Sequence, residues 1–206
     1  MLESHPMPTA MTLEELYRPV DARLGEVRDE VQGLLHDIVG VVGVNTVGQL
    51  PFNGGKLLRP ALCLLAAGSC GARDLRRFVP LATAMEVLHL AALAHDDVID
   101  GAGLRRGGSS LNALWDDRAA VLGGDYLVAR ALGMLTSYRN CALIDDAVAT
   151  IRQMTEGELY SFGHRHDRPE LAKCIDLARK KTAVLFATAC ATPARLVPGA
   201  PYRIFY

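Results

Sequence analysis

The stretch LATAMEVLHLAALAHDDVID, residues 81–100, constrains this chain most. It is apolar for most of its length, has no internal proline or glycine, and meets Gly101 at its end. That pattern predicts one long helix that stops at the glycine and lies at the edge of a hydrophobic core. The polar residues are gathered rather than scattered. His89, Asp96 and Asp100 follow i, i+7, i+11 spacing, which puts them on one helical face. Asp97 is rotated by about 100° from Asp96, as follows from the residues per turn.

The rest of the chain supplies further helices. Thr12 and Glu15 have capping-box spacing ahead of apolar positions Leu13, Leu16, Leu24, Val27, Val31 and Leu34, with Pro19 kinking or delaying that helix. Residues 39–55 are Gly-rich and read as a connection. A second helix is predicted to begin around Lys56 to Pro60 and run through ALCLLAAG. After residues 81–100, another helix is expected from Ser109/Ser110 through LNALWDD towards ALGML, and a fifth over IDDAVATIRQMTEGELYSF. A sixth opens with Asp167 and Pro169, a cap followed by an N1 proline, and continues into KKTAVLFATAC. No convincing strand is present, so the expected fold class is all-α.

Composition narrows the function classes. The 206 residues suffice for one domain with a sizeable core. The formal net charge of −1 argues against a general nucleic-acid or membrane-surface binder, which carries a basic excess. Cys63, Cys70, Cys141, Cys174 and Cys190 are odd in number, lack a Cys-x-x-Cys pair and sit in apolar settings, as small core residues of a protein in a reducing cytoplasm would. The N-terminus has no secretory-signal pattern, and no apolar run approaches the roughly 18 residues of a membrane-spanning helix.

Chemistry enters through charges placed against the helix dipole. Asp96, Asp97 and Asp100 occupy the last turn of their helix, where each exposed acid costs about 0.3–1 kcal/mol. A divalent cation reverses that cost, and a ligand set of hard oxygens without Cys or clustered His points to Mg²⁺ rather than zinc. An EF-hand is ruled out, because Val98 and Gly107 occupy its third and twelfth positions. A merely solvated acidic helix end fits the same residues. Lys56 and Arg59 show the opposite misplacement, being cations at a helix N-terminus. An anion between them and the free N–H groups resolves it, with Gly54 and Gly55 allowing close approach. Arg105 and Arg106 add donors suited to phosphate. Each cation alone also fits an ordinary surface charge. Taken together, the two misplacements predict a joint ligand: a diphosphate with Mg²⁺.

GGKLLRP (54–60), EVLHLAALAHDDVIDGAGLRRG (86–107), NALWDDRAAVLGGDYLVARAL (112–132), EGEL (156–159) and KKTAVLF (180–186) together resemble the trans-polyprenyl diphosphate synthases, over roughly residues 50–190. The resemblance implies an antiparallel helix bundle of the isoprenoid synthase type. It implies a Mg²⁺-dependent, head-to-tail condensation of isopentenyl diphosphate with an allylic diphosphate, giving a medium or long chain for isoprenoid or quinone biosynthesis. Asp96, Asp97 and Asp100 match the first aspartate-rich motif, with Asp96 and Asp100 the principal metal ligands. Lys56, Arg59, His89 and Arg106 match the isopentenyl diphosphate site. Arg105, Lys181 and Thr182 match residues that hold the allylic diphosphate, with Arg105 and Lys181 stabilising the charge it develops. Leu57 departs from the family, which often has Arg there. Ala91 and Ala92, about one turn before Asp96, stand where bulky aromatics close the pocket at short products, so two alanines imply a longer chain.

Several other polar residues are given no catalytic role. Asp116–Asp117 and Asp145–Asp146 are expected to face solvent. Asp125 is expected to pack or hydrogen-bond between helices, and His164 with His166 is too sparse for a metal site. Glu156 is assigned no step. The family continues for about a further domain-scale length and carries a second aspartate-rich motif, which this sequence lacks. Residues 1–190 are therefore read as the N-terminal part of the family domain, and 191–206 as a divergent tail. An alternative to an autonomous enzyme is a non-catalytic or half-site subunit whose partner supplies the second motif, and the expected assembly is a homodimer or heteromer. A terpene cyclase shares the aspartate motif but has no use for Lys56, Arg59 and His89.

Overall fold

Pro19 divides the N-terminal helical region in two. The computed structural model describes residues 11–42, 55–101, 104–105, 108–109, 116–166, 168 and 170–200. Helix α1 (Leu13–Tyr17) carries the predicted capping box: the Glu15 N–H donates to Thr12 Oγ1 at 3.2 Å, and the Thr12 N–H donates to Glu15 Oε2 at 2.8 Å. Helix α2 (Asp21–Val42) follows after one turn. Leu24, Val27, Val31 and Leu34 are buried as the apolar stripe predicts, whereas Leu13 and Leu16 stay exposed on the short first helix.

Helix α3 (Leu58–Ser69) starts two residues after Lys56. Its cap residue Leu57 adopts the left-handed conformation (φ 46°, ψ 41°) with its side chain only 3% exposed. Lys56 therefore lies ahead of the helix, and Arg59 lies in its first turn. A 3₁₀ turn (Leu75–Phe78) leads into α4 (Val79–Ile99), which ends at Asp100 and Gly101. Gly101 has φ +61°, the left-handed geometry that a glycine supplies most cheaply at a helix end. Leu81, Met85, Val87, Leu88 and Ala91 of α4 are buried. Its packing is most extensive against α5 (Asp117–Thr136), with α2 and α3 alongside. The 3₁₀ turn and α4 together are long and apolar enough to cross a membrane, contrary to the expectation from the sequence, but 67% of the most apolar window is buried, as in a core helix.

Between α4 and α5, Leu104–Arg105 (β1) pairs antiparallel with Gly108–Ser109 (β2). The expected helix start at Ser109/Ser110 is thus displaced. Ser109 is paired in the strand, residues 110–115 lie outside the described residues, and α5 begins at Asp117, capped by Asp116 Oδ1 accepting from the Ala119 N–H at 2.8 Å. Helix α6 (Cys141–Gly163) is capped by Asn140. Helix α7 (Leu171–Ala178) begins after Glu170, which makes no side-chain cap bond. The cap and proline expected at Asp167 and Pro169 lie outside the described residues. A π-helical turn (Arg179–Ala183) joins α7 to α8 (Val184–Ala191), which packs on α3.

A 3₁₀ turn (Thr192–Leu196) follows α8, with Thr192, Pro193 and Ala194 buried. It is fastened by a two-bond ion pair in which Arg195 Nε and Nη2 donate to the two carboxylate oxygens of Asp146, each at 3.1 Å. Asp146 is therefore not a solvent-facing residue: it is 7% exposed and turned inward to meet Arg195, while its neighbour Asp145 does face solvent. Among the cysteines only Cys63 is fully buried, and burial pushes its thiol pKa up. Cys141, Cys174 and Cys190 are exposed, so the reading of all five as core residues holds for one of them.

Candidate active site

The polar face of α4 looks into two clefts. The first lies where α4 meets the start of α3 and is lined by Lys56, Leu57, Arg59, Glu86 and His89. The hydroxyl of Tyr17 donates to the Lys56 carbonyl at 2.6 Å, tying α1 to the backbone of this cleft. Burial and the charge of Glu86 push the Tyr17 pKa up, which keeps the phenol protonated as a donor. Arg59 stacks over Phe186 of α8, with its guanidinium carbon 4.3 Å from the ring centroid. This contact holds the planar donor group in place without consuming its N–H edge. Glu86, 6% exposed, puts a buried carboxylate among three basic groups. Sequence reasoning missed it; its place three residues before His89 on α4 was the available signal.

The second cleft lies between α4, α6 and the π-helical turn. Ala92, His95, Asp96 and Ile99 line it from α4, Met154, Thr155 and Glu158 from α6, and Lys181 from the π turn. Asp96 and Lys181, 85 positions apart in the sequence, thus share one cleft with mostly apolar walls. The approach of the π turn depends on Gly157. A Cβ at that position would lie 3.1 Å from Lys180 Cβ and 3.2 Å from Lys181 Cγ, tighter than most side-chain contacts. Lys181 Nζ is 2.5 Å from Glu158 Oε1. Glu156 is engaged elsewhere, accepting from Arg152 Nη1 at 2.5 Å and lying 3.9 Å from Lys180 Nζ. Gly157 and Glu158 lie within the EGEL segment, but their contacts with Lys180 and Lys181 depend on an element that arrives from far along the chain.

The acidic residues of α4 divide by face. Asp96 is half-buried in the second cleft, Asp100 is exposed one turn further on, and Asp97 is 4% exposed and turned into the core. The roughly 100° rotation between Asp96 and Asp97 becomes here a separation between cleft and interior. Ala92 faces the cleft and Ala91, 1% exposed, faces the core. Thr182 is exposed on the π turn. Arg105 is placed in β1 by its backbone pairing with Gly108, and Arg106 lies outside the described residues.

His95 secures the acidic end of α4 against α5. Its Nε2 lies 3.3 Å from Asp125 Oδ1 and 3.2 Å from the Val121 carbonyl oxygen. Asp125 thus makes the interhelical contact expected of it. His164 stacks on Tyr160 at 4.0 Å between centroids and lines neither of these two clefts. Among the described residues no three His, Cys, Asp or Glu side chains converge as a ready metal cage. Asp96 and Asp100, one turn apart, nevertheless offer two hard oxygen groups, the protein share that Mg²⁺ takes when phosphate oxygens and water complete its shell. The donor set therefore fits magnesium bound together with a phosphate ligand.

Comparison with known proteins shows what the chain as a whole is similar to. The family described as polyprenyl synthetase matches residues 44–202. An all-trans-nonaprenyl-diphosphate synthase (geranyl-diphosphate specific) from Rhodobacter capsulatus is 40% identical over 152 residues, covering 73% of this chain and 46% of that protein. Heptaprenyl diphosphate synthase component 2 from Geobacillus stearothermophilus is 37% identical over 196 residues, covering 94% of this chain and 60% of that protein. The crystal structure of polyprenyl synthase from Caulobacter crescentus, complexed with calcium and isoprenyl diphosphate, superimposes with a TM-score of 0.82 at 30% identity, covering 93% of this chain and 58% of that one. The chain spans about half the length of the curated relatives it matches.

Proposed function

The chain belongs to the polyprenyl synthetase family, and from that premise we propose that it condenses isopentenyl diphosphate with an allylic diphosphate, head to tail, as a trans-prenyltransferase. The observation that carries this reading is the second cleft, which Asp96 and Lys181 line together with Ala92, Ile99 and Met154. Lys56, Arg59 and His89 bind the isopentenyl diphosphate in the first cleft, where Arg59 is oriented by Phe186. Arg106 is proposed to join them. Asp96 and Asp100 hold Mg²⁺ together with the allylic diphosphate, and Asp97 supports that helix end from the core side. Magnesium, when bound, supplies Lewis acidity to the diphosphate oxygens. Lys181 and Arg105 balance the negative charge that grows on the departing diphosphate, and Thr182 flanks them. Ala92 and Met154, which line the cleft, give the hydrocarbon chain of the allylic substrate an apolar wall that keeps water from the reacting carbons. His89 and Asp96 on one face of α4 set the order of the two substrates along the helix. The small side chain of Ala92, one turn below Asp96, leaves room for a medium or long product.

A second reading is favoured by the 37% identity to a protein named as component 2 of a heptaprenyl diphosphate synthase. In it the chain is one subunit of a heteromer, and a partner completes the site with further acidic residues. One experiment tests both: a Mg²⁺-dependent assay with labelled isopentenyl diphosphate and allylic primers. Elongated product that is lost in Asp96→Ala supports the autonomous enzyme. Product formed only after addition of a second polypeptide supports the subunit. Absence of product in both settings overturns the function.

A further inference from the structure

Lys181 reaches its cleft with a counter-ion built into the protein. Its Nζ lies 2.5 Å from Glu158 Oε1, and the two side chains are only partly exposed, at 36% and 23%. Both line the cleft that contains Asp96. The neighbouring Lys180 points elsewhere, 3.8 Å from Asp176 Oδ2 and 3.9 Å from Glu156 Oε2, whereas Lys181 is paired with Glu158. Gly157, between Glu156 and Glu158, lets the π turn lie close enough for these contacts, since a Cβ there would press on both lysine side chains. A π turn inside a helix offsets the residues that follow it from the ordinary helical register, and such turns recur at functional sites.

We propose that Glu158 is a positioning residue for Lys181, holding the ammonium at the cleft and competing with diphosphate for it. The inference rests on the reading of this cleft as a diphosphate site. Diphosphate must then take the ammonium from Glu158 before pairing with it, which weakens the hold of the cleft on the anion and favours its departure after each turnover.

The test measures binding of inorganic diphosphate, with Mg²⁺ present, to the full chain by calorimetry. Glu158→Gln is expected to bind diphosphate about two- to fivefold more tightly than the parent, the scale of one partly exposed ion pair. Glu156→Gln, which removes the same charge from the same helix, is expected to change affinity less. In a Lys181→Met background the gain from Glu158→Gln is expected to vanish. An unchanged or weaker affinity in Glu158→Gln, or a gain that survives Lys181→Met, overturns the proposed competition for Lys181. If the parent still binds diphosphate in that case, the cleft keeps its proposed function. Failure of the folded parent to bind diphosphate overturns the inference together with the reading it rests on. Thermal unfolding of each variant establishes that the fold is intact.

Discussion

The imidazole of His95 occupies the space that a side chain on Gly124 would need: a Cβ there would come within 2.3 Å of Nε2. Helices α4 and α5 thus interlock at the residue next to Asp96, and the contact orients the acidic end of α4. Gly124→Ala is expected to push the ring from Asp125. The lost contact offsets the gain of about 1 kcal/mol that alanine brings over glycine within a helix. In a His95→Ala background the same substitution should stabilise the fold by about 0.5–1 kcal/mol. Denaturant unfolding of the four proteins measures this coupling, and equal effects in both backgrounds would exclude it.

The pair between Asp146 and Arg195 is a structural fastening rather than part of the site. Removing one partner of a buried, hydrogen-bonded pair costs more than the pair contributes, because the other charge remains. Arg195→Ala should destabilise by about 2–4 kcal/mol, and Asp146→Asn by less, since its amide can still accept one of the two bonds. Chemical denaturation checks the order. The reverse order would mean that the Asp146 carboxylate is well solvated once its guanidinium is gone.

Tyr17 links α1 to the first cleft through the Lys56 carbonyl at 2.6 Å. Tyr17→Phe removes one donor and keeps the ring, so stability should fall by about 0.5–1.5 kcal/mol. If Lys56 binds isopentenyl diphosphate, the KM for that substrate should rise while the KM for the allylic primer stays unchanged. A parallel rise in both would show a general loss of structure instead.

Two carboxyls should titrate below their ordinary range. Asp176 is held down mainly by the hydrogen bond from Arg179, at 2.7 Å, with the charges of Lys180, Arg179 and Lys173 adding. Glu15 is held down by hydrogen bonds from the Thr12 backbone and side chain. A carboxyl whose pKa is lower folded than unfolded stabilises the fold at pH above the unfolded value, and loses that contribution as pH falls through the folded value. The contributions of both groups should therefore be complete at neutral pH and disappear in acid. NMR titration should place the Asp176 midpoint below 3.8, and Arg179→Ala should bring it back towards that value.

The sequence by itself determined most of the helices and the charged residues at their ends. Periodicity, the capping box at Thr12 and the glycine after Asp100 are local signals, and each acts within about one turn of the residues that form it. They sufficed to place the acids at the end of α4 and the cations at the start of α3. They also separated Asp97 from Asp96 by rotation, but not which of the two would face a cleft. Only the tertiary structure decided the partners. Lys181 meets Glu158, Arg195 meets Asp146 and Tyr17 meets Lys56 across 23, 49 and 39 positions, respectively. Such meetings depend on how helices cross and rotate against one another, and on the offset introduced by the π turn. Those settings arise from the fit of whole helix faces, such as Gly124 beneath His95 and Gly157 beneath the lysines, and no local pattern of residues encodes them.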